Sequence, residues 1–468
     1  MAWINDWNPE DNSYWQNKGA KIARRNLILS IFALLLAFVV WMVWSTVVVE
    51  LPHVGFRFST NELFWLAALP GLSGATLRIF YAFMVPIFGG RNWTVVTTAS
   101  LIFPLVGIGL AVQDTQTPYW VFLMLALLCG LGGGNFASSM SNISFFYPRT
   151  KKGTALGLNG GLGNLGVSVV QFLAPVVLLM DFSNMTGVPL GEAQVWSKGD
   201  ITKLIWLQNV AWFWIPIIIL ATALAAWGMN NLTTATASFK DQAVIFRRKH
   251  NWLTGCLYTG TFGSFIGYSA ALPLLIKTQF PQLNPLQYAF IGPLVGALAR
   301  PLGGMLADRY GGARITLVGF VLMTVAAMGV LFFMYPVPGQ GQSFLGFMVC
   351  FVALFTMSGI GNGSTYRMVP VIFQQEKERI AQGQLAQGQP DSVRARLLQE
   401  ASKESAAVLG FISAIAAYGA FIVPKSFGYS VAKTGDVRAA FYGFMLYYTL
   451  CVGITWWYYA RNNAEHSC

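Results

Sequence analysis

The chain has 468 residues, of which 55% are hydrophobic and only 10% are charged, and its formal net charge is +12. Soluble domains carry about 25% charged residues, so this composition excludes an ordinary soluble protein and indicates a membrane protein. The apolar runs are long rather than short and alternating, which argues against a membrane β-barrel.

Apolar runs close to or above the spanning length of about 20 residues recur along the chain. They predict twelve membrane helices, at 26–49, 62–86, 93–113, 118–146, 154–180, 204–229, 252–275, 286–307, 314–336, 343–373, 405–430 and 438–459. The first 25 residues are polar and lack the pattern of a signal peptide. We therefore expect the chain to enter the membrane uncleaved through its first span.

Lysine and arginine are distributed unevenly among the predicted loops. The set of loops that contains both termini holds 20 of the 30 lysine and arginine residues. Because positively charged loops stay in the cytoplasm, this bias predicts a cytoplasmic N-terminal segment at 1–25 and a cytoplasmic tail at 461–468. The same bias accounts for the net charge, so we expect no nucleic-acid partner.

The chain is predicted to consist of two similar halves. Six helices fall in 26–229 and six in 252–460, with a cytoplasmic linker at 230–251 and a solvated cytoplasmic loop at 374–404. The surroundings of Arg78 recur 222 residues later around Arg300: a Gly-Ala pair precedes each arginine, and a Gly-Gly pair follows it at plus eleven and plus twelve.

Corresponding motifs in the second helix of each half are typical of pseudo-symmetric transporters. The predicted fold class is therefore an all-α membrane protein with the major facilitator fold, in two six-helix bundles. The stretch GGMLADRYGGAR at 303–314 resembles the loop motif of that superfamily. Within it we expect Asp308 and Arg314 to have structural or gating roles.

Arg78 and Arg300 are predicted to lie deep in the membrane. Each precedes its Gly-Gly pair by eleven residues, which places it roughly 16 Å from the helix end and near the middle of a core about 30 Å thick. A central arginine costs at least about 2.5–3.5 kcal/mol on insertion scales. None of the 18 Asp and Glu residues lies in the middle of a predicted span. We predict that both arginines bind one monovalent anion between the halves; the alternative is that they bond only backbone groups.

Arg367 lies nearer to the membrane surface, seven residues before Gln374. We expect its side chain to reach outward or to bond backbone carbonyls, and the alternative is a role in an ion pathway.

The stretch 155–167 contains a literal GxGxxG pattern. No strand precedes it, so nucleotide binding is not expected, and its glycines suit close helix packing instead. Asn159 and Asn164 then supply uncharged donors at membrane depth. The five cysteines form no CxxC pair and the three histidines lie in loops or the tail, so we expect no metal site and no cofactor.

Seven stretches in order make the chain resemble the NarK/NarU-type nitrate/nitrite porters of the major facilitator superfamily. They are PIFGGR (86–91), NFASSMSNISFF (135–146), ALGLNGGLGNLGVSV (155–169), TFGSFIGYSA (261–270), KTQFP (277–281), GALAR (296–300) and LGFISAI (409–415).

The resemblance implies roles for particular residues. Arg78 and Arg300 would clamp the anion. Three aromatic residues would wall the slot, and three further residues would line or gate it. The walls would be Phe136, Tyr258 and Phe262, and the lining would be Gly160, Asn164 and Ser413. One departure is Tyr366-Arg367, where some relatives have Phe-Gln, which leaves the coupling ion open.

The resemblance also implies an alternating-access carrier of a bacterial inner membrane, working as a monomer in nitrate respiration or assimilation. Occluding two unneutralised central arginines is costly, which favours exchange of nitrate for nitrite over empty return. Nitrate uptake with protons is the alternative, although no titratable residue lies centrally. Three other classes are weaker alternatives. An anion channel would show currents that do not saturate as a carrier's do. A membrane enzyme would need a catalytic or cofactor motif, and a receptor would need a signalling domain, for which we expect the tail after residue 460 to be too short.

Overall fold

The computed structural model describes residues 3–235, 243–335, 341–386, 392–466 and 468. Within these residues, twelve helical segments are long and apolar enough to cross a membrane, which confirms the predicted number. Numbered α1 to α12, they are Asn12–Val54, Thr60–Phe88, Gly90–Ala111, Tyr119–Phe146, Thr150–Val177, Asn209–Gly228, Lys249–Gln279, Pro285–Tyr310, Gly312–Met334, Phe344–Leu385, Ser392–Thr434 and Arg438–Ala460.

The ends of α2 and α8 explain the repeated glycine pairs. Helix α2 begins with a capping box, in which Ser59 and Glu62 satisfy each other's backbone amides. It ends at Gly89, whose φ is +84°, and α8 ends before Gly311, whose φ is +91°. Only glycine adopts such angles without strain, so both helices end at the same point of the repeat.

Within the described ranges, four short strands accompany the helices, and none of them was predicted. Strand β1 (Trp3–Ile4) pairs in parallel with β4 (Asn231–Leu232), and β2 (Gln194–Lys198) forms an antiparallel hairpin with β3 (Ile201–Ile205). Two-residue strands leave no periodic pattern in a sequence. Part of the predicted linker at 230–251 is thus tied to the N-terminal segment, whereas its residues 236–242 lie outside the described part.

The predicted loop at 374–404 is largely helical. The helix of α10 continues to Ala386 and that of α11 begins at Ser392. Lys377 and Arg248 both bind the Glu404 carboxylate, each at 2.9 Å. These ion pairs stabilise the polar parts of α10 and α11, which extend beyond the apolar spans. The spans predicted from hydropathy, which end at 373 and begin again at 405, were therefore shorter than the helices.

The described chain forms two compact units. The first comprises Met1–Thr236, Ile266–Ala297 and Ala417–Ala440. The second comprises Ala237–Phe265, Leu298–Ala416 and Phe441–Cys468. The first unit therefore contains α1–α6 together with parts of α7, α8, α11 and α12. The predicted boundaries of the two bundles stay a prediction.

Glycines bring helix backbones into close contact inside each unit. A Cβ atom at Gly132 of α4 would lie 2.2 Å from the Ala37 carbonyl oxygen of α1. In the second unit, a Cβ atom at Gly303 of α8 would lie 2.1 Å from the Ile360 carbonyl oxygen of α10. Small residues at such crossings are the usual means of packing helices in lipid.

Two neighbouring glycines provide a test of this packing. Gly303→Ala places a methyl group against backbone that cannot move independently, so we expect a loss of roughly 1–3 kcal/mol in unfolding free energy. Gly304→Ala is the matched control, since nothing lies within 4 Å of its added Cβ atom. Thermal unfolding in detergent measures both variants. Equal melting temperatures for the two variants would contradict the close α8–α10 crossing.

Candidate functional site

Arg78 is buried in α2 of the first unit, with 1% of its surface exposed. Its Nε donates a hydrogen bond of 2.8 Å to the Gly133 carbonyl oxygen of α4. Its guanidinium carbon lies 4.9 Å from the ring centre of Trp41 and 4.6 Å from that of Phe136. The charge is therefore held between two aromatic faces, each of which contributes about 2 kcal/mol when desolvated.

Phe136 is itself fixed by aromatic packing. Its ring makes an edge contact with Phe38, at a centroid distance of 6.1 Å, and Phe38 in turn contacts Trp41 at 5.4 Å. The resemblance implied that Phe136 walls an anion slot. The structure places its ring directly against the Arg78 guanidinium, so the two predicted site residues lie together.

Helix α5 buries the polar residues of the first glycine-rich stretch. Asn164 is 1% exposed, and within the described residues neither its amide oxygen nor its amide nitrogen has a hydrogen-bond partner. Asn159 donates to the Ser139 Oγ at 2.8 Å, while its own oxygen lacks a partner there. Gly160 is also buried. A buried amide without a bond costs about 1–3 kcal/mol, which a water molecule or a ligand can recover.

Arg300 is buried in α8 of the second unit and is 6% exposed. Its guanidinium carbon lies 5.6 Å from the ring centre of Tyr366. Its Nη1 is buried without a hydrogen-bond partner, and it forms no ion pair with an acid among the described residues. A guanidinium carries five donors, so Arg300 retains the capacity to bind an oxyanion.

Aromatic rings continue from Arg300 in an unbroken series within the second unit. Tyr366 lies 5.8 Å from Tyr258, and Tyr258 stacks on Phe262 at 5.5 Å with an interplanar angle of 15°. Tyr258 and Phe262 are fully buried. The predicted wall residues Tyr258 and Phe262 are thus connected to Arg300, but through Tyr366.

Tyr366 and Asn362 were not among the predicted site residues. Tyr366, noted above only as a departure from relatives, contacts both Arg300 and Tyr258. Asn362 precedes it by one helical turn, is 1% exposed, and has an amide oxygen without a partner in the described part of the chain. A polar residue and an aromatic residue at i and i+4 share a helix face, and this spacing was the available signal.

The remaining predicted residues have defined surroundings. Ser413 of α11 is buried, and its Oγ donates to the Gly410 carbonyl oxygen of its own helix at 2.7 Å. The Arg367 Nε lies 2.5 Å from the Asp308 Oδ1, and both side chains are more than half exposed. Arg314 is exposed. Arg367 thus pairs with a carboxylate, a partner that neither expectation for it included; its role in an ion pathway stays a prediction.

The C-terminal tail forms a small titratable cluster. Ligand atoms of His250, Glu465 and His466 all lie within 4.8 Å of one another. Lys249 pairs with Glu465 at 2.7 Å. Burial lowers the pKa of His466 to about 4, so its imidazole is neutral at physiological pH. The sequence placed these residues in separate loops and gave no sign that they meet.

Comparison with known proteins identifies the family. A model of the Major Facilitator Superfamily matches residues 29–384. The nitrate/nitrite transporter NarU of Escherichia coli strain K12 is 48% identical, over 98% of this chain and 96% of its own length. The probable nitrate/nitrite antiporter NarK2 of Thermus thermophilus is 41% identical, over 100% of this chain and 98% of its own length.

Solved structures agree with this assignment at the level of the fold. A D-xylose-proton symporter matches with a TM-score of 0.63 at 15% identity, covering 93% of this chain and 97% of that one. A bacterial homologue of the lysosomal transporter Spinster matches with a TM-score of 0.60 at 15% identity, covering 92% and 95%. The major facilitator fold predicted from the sequence is confirmed. The chain is a multi-pass membrane protein that belongs to the major facilitator superfamily and, within it, to the NarK/NarU-type nitrate/nitrite porters.

Proposed function

We propose that this protein transports nitrate and nitrite across a bacterial inner membrane by alternating access. Two relatives that match over nearly the full length, from Escherichia coli and Thermus thermophilus, bear the names of a nitrate/nitrite transporter and a nitrate/nitrite antiporter. The observation that carries the proposal is the buried Arg300, whose Nη1 has no hydrogen-bond partner among the described residues. A monovalent anion supplies both the missing acceptor and the missing charge.

The shape of the substrate suits these surroundings. Nitrate is planar and its charge is spread over three oxygens, so it accepts paired, charge-assisted bonds from a guanidinium fork. Faces of Phe136, Tyr258 and Phe262 would flank a flat ion and disfavour tetrahedral sulfate or phosphate. In this proposal Arg78 and Arg300 bind the anion, and Gly160, Asn164 and Ser413 line its site.

Exchange of nitrate for nitrite is the mode that the charges favour. An empty carrier would have to occlude the desolvated Arg300 guanidinium, which costs several kcal/mol for an uncompensated ion. A bound anion offsets that cost in both directions of transport. Nitrate uptake with protons is the second candidate. Tyr366-Arg367 stands where some relatives have Phe-Gln, and an additional cation near the pathway would change which ions accompany the substrate.

The remaining parts of the proposal concern placement and assembly. Both termini lie in the cytoplasm, which the lysine and arginine bias of the loops supports. The working unit is the monomer, and its partners are nitrate, nitrite and the lipid bilayer.

Conservative replacement of the arginines tests the site. Arg78→Lys and Arg300→Lys keep the charge but remove the planar fork. We expect each to weaken nitrate binding and proteoliposome uptake by about tenfold to a hundredfold, the value of about one hydrogen bond to a charged group. Arg396→Lys is the control, since Arg396 is 80% exposed on α11. Calorimetric titration also gives stoichiometry: one nitrate per chain, lost in either variant, supports a shared anion. Near-normal binding in both variants would overturn the site.

Asn164 gives an isosteric electrostatic test. Asn164→Asp changes one amide into a carboxylate of the same shape, so an anion bound nearby would be repelled. We expect nitrate affinity to fall by more than about tenfold, with a smaller loss for Asn164→Ala, since a new unpaired charge costs more than a lost hydrogen bond. Melting temperatures confirm that both variants fold. Unchanged nitrate affinity in the aspartate variant would place Asn164 outside the anion site.

The two transport modes separate in proteoliposomes. Exchange predicts that internal nitrite accelerates uptake of labelled nitrate severalfold, with or without a pH gradient, because the loaded carrier reorients more readily than the empty one. Liposomes that contain an impermeant anion instead of nitrite are the control. Uptake that requires the pH gradient and ignores internal nitrite would establish the proton-coupled alternative.

A further inference from the structure

The first turns of α1 present three cations and an aliphatic residue on one face. Lys21, Arg24, Arg25 and Ile28 are spaced at i, i+3, i+4 and i+7, and all four are exposed. Residues at these spacings share one helix face. The aliphatic end begins about 10 Å along the helix from Lys21, at 1.5 Å per residue.

This face borders a shallow, open cavity of the first unit, here called the groove, whose lining residues all belong to α1. A cavity of about 440 Å³ is lined by Ala20, Lys21, Arg24, Arg25, Ile28 and Leu29. Its lining is thus basic toward the start of the helix and aliphatic one to two turns further on. Ile28 is 55% exposed there, so an apolar surface lies open beside the charges.

No carboxylate among the described residues forms an ion pair with the three cations of the groove. Arg25 donates to the Asn230 Oδ1 at 2.8 Å. Lys21 and Arg24 have no ion pair or side-chain hydrogen bond to any residue in the described ranges. Two exposed cations beside exposed apolar surface offer the two kinds of contact that a negatively charged amphiphile makes.

The neighbouring helix places the groove at the membrane surface. The end of α6 lies against Leu29, since a Cβ atom at Gly228 would be 2.5 Å from the Leu29 Cδ1. The adjacent Trp227 is 86% exposed. Exposed tryptophan is enriched where hydrocarbon meets headgroups, so Trp227 favours a position of Lys21 and Arg24 close to the lipid headgroups.

We propose that this groove is a binding site for an anionic phospholipid. Lys21 and Arg24 bind the headgroup phosphate, and one acyl chain lies along Ile28 and Leu29. Basic pockets on the cytoplasmic side of membrane helices suit anionic headgroups, and each nearby cation contributes about 1 kcal/mol. A free phosphate would leave the aliphatic half of the groove uncovered, which is why a lipid is the occupant favoured here.

Native mass spectrometry of the delipidated full chain tests the proposal. The probes are phosphatidylglycerol, phosphatidylcholine with the same acyl chains, and water-soluble glycerol phosphate. The test variant is Lys21→Gln with Arg24→Gln, which leaves the Arg25–Asn230 bond intact. The control is Arg396→Gln with Lys403→Gln, which removes the same charge from exposed positions on α11. A single Lys21→Gln variant replaces the double variant should that one fail to fold.

We expect phosphatidylglycerol to bind the wild type and the control more tightly than phosphatidylcholine does. In the double variant this preference should fall by about tenfold or more, given the contribution of each cation. Equal affinity for both lipids in the wild type, or an undiminished preference in the double variant, would overturn the proposal. Tight binding of glycerol phosphate alone would also contradict it, because the site would then take a free phosphate.

Discussion

The structure depends on the cost of holding a guanidinium at membrane depth. A charged group there must find acceptors, aromatic faces or a counter-ion, because lipid offers none of them. For Arg78 the chain supplies a backbone carbonyl from Gly133 and the faces of Trp41 and Phe136. For Arg300 it supplies the face of Tyr366 and leaves Nη1 without a hydrogen-bond partner among the described residues. In the proposed function, the bound anion supplies the hydrogen-bond acceptor and the negative charge for Arg300.

Helix packing around Arg78 follows from that requirement. Added Cβ atoms at Gly74 and Gly133 would lie 2.6 and 2.7 Å from the Trp41 indole. Glycine at both positions therefore lets α2 and α4 approach α1 closely enough for the indole to cover the guanidinium. The Trp41 Nε1 in turn donates to the Pro70 carbonyl oxygen at 2.7 Å, a bond that fixes the ring. The same glycines thus serve helix association and the position of the charge.

The sequence predicted the features that depend on composition and repetition. The twelve spans followed from long apolar runs, which a lipid bilayer requires. The fold followed from the repeat around Arg78 and Arg300, and these two arginines stood out because they interrupt apolar runs. The Asp308–Arg367 pair, the full extent of the helices within 374–404 and the tail cluster at His250 did not follow. The pair and the cluster join residues distant in sequence, and neither periodicity nor hydropathy encodes such contacts. Tyr366 was missed because its i, i+4 spacing from Asn362 is a weak signal in an apolar helix with many aromatic residues.

The most direct test of the central claim is a crystal structure of the protein in saturating nitrate. The account predicts a planar anion within about 3 Å of the Arg300 Nη1, the distance of a charge-assisted hydrogen bond. A structure in which that nitrogen binds a carboxylate of the chain instead, with no anion beside it, would contradict the account.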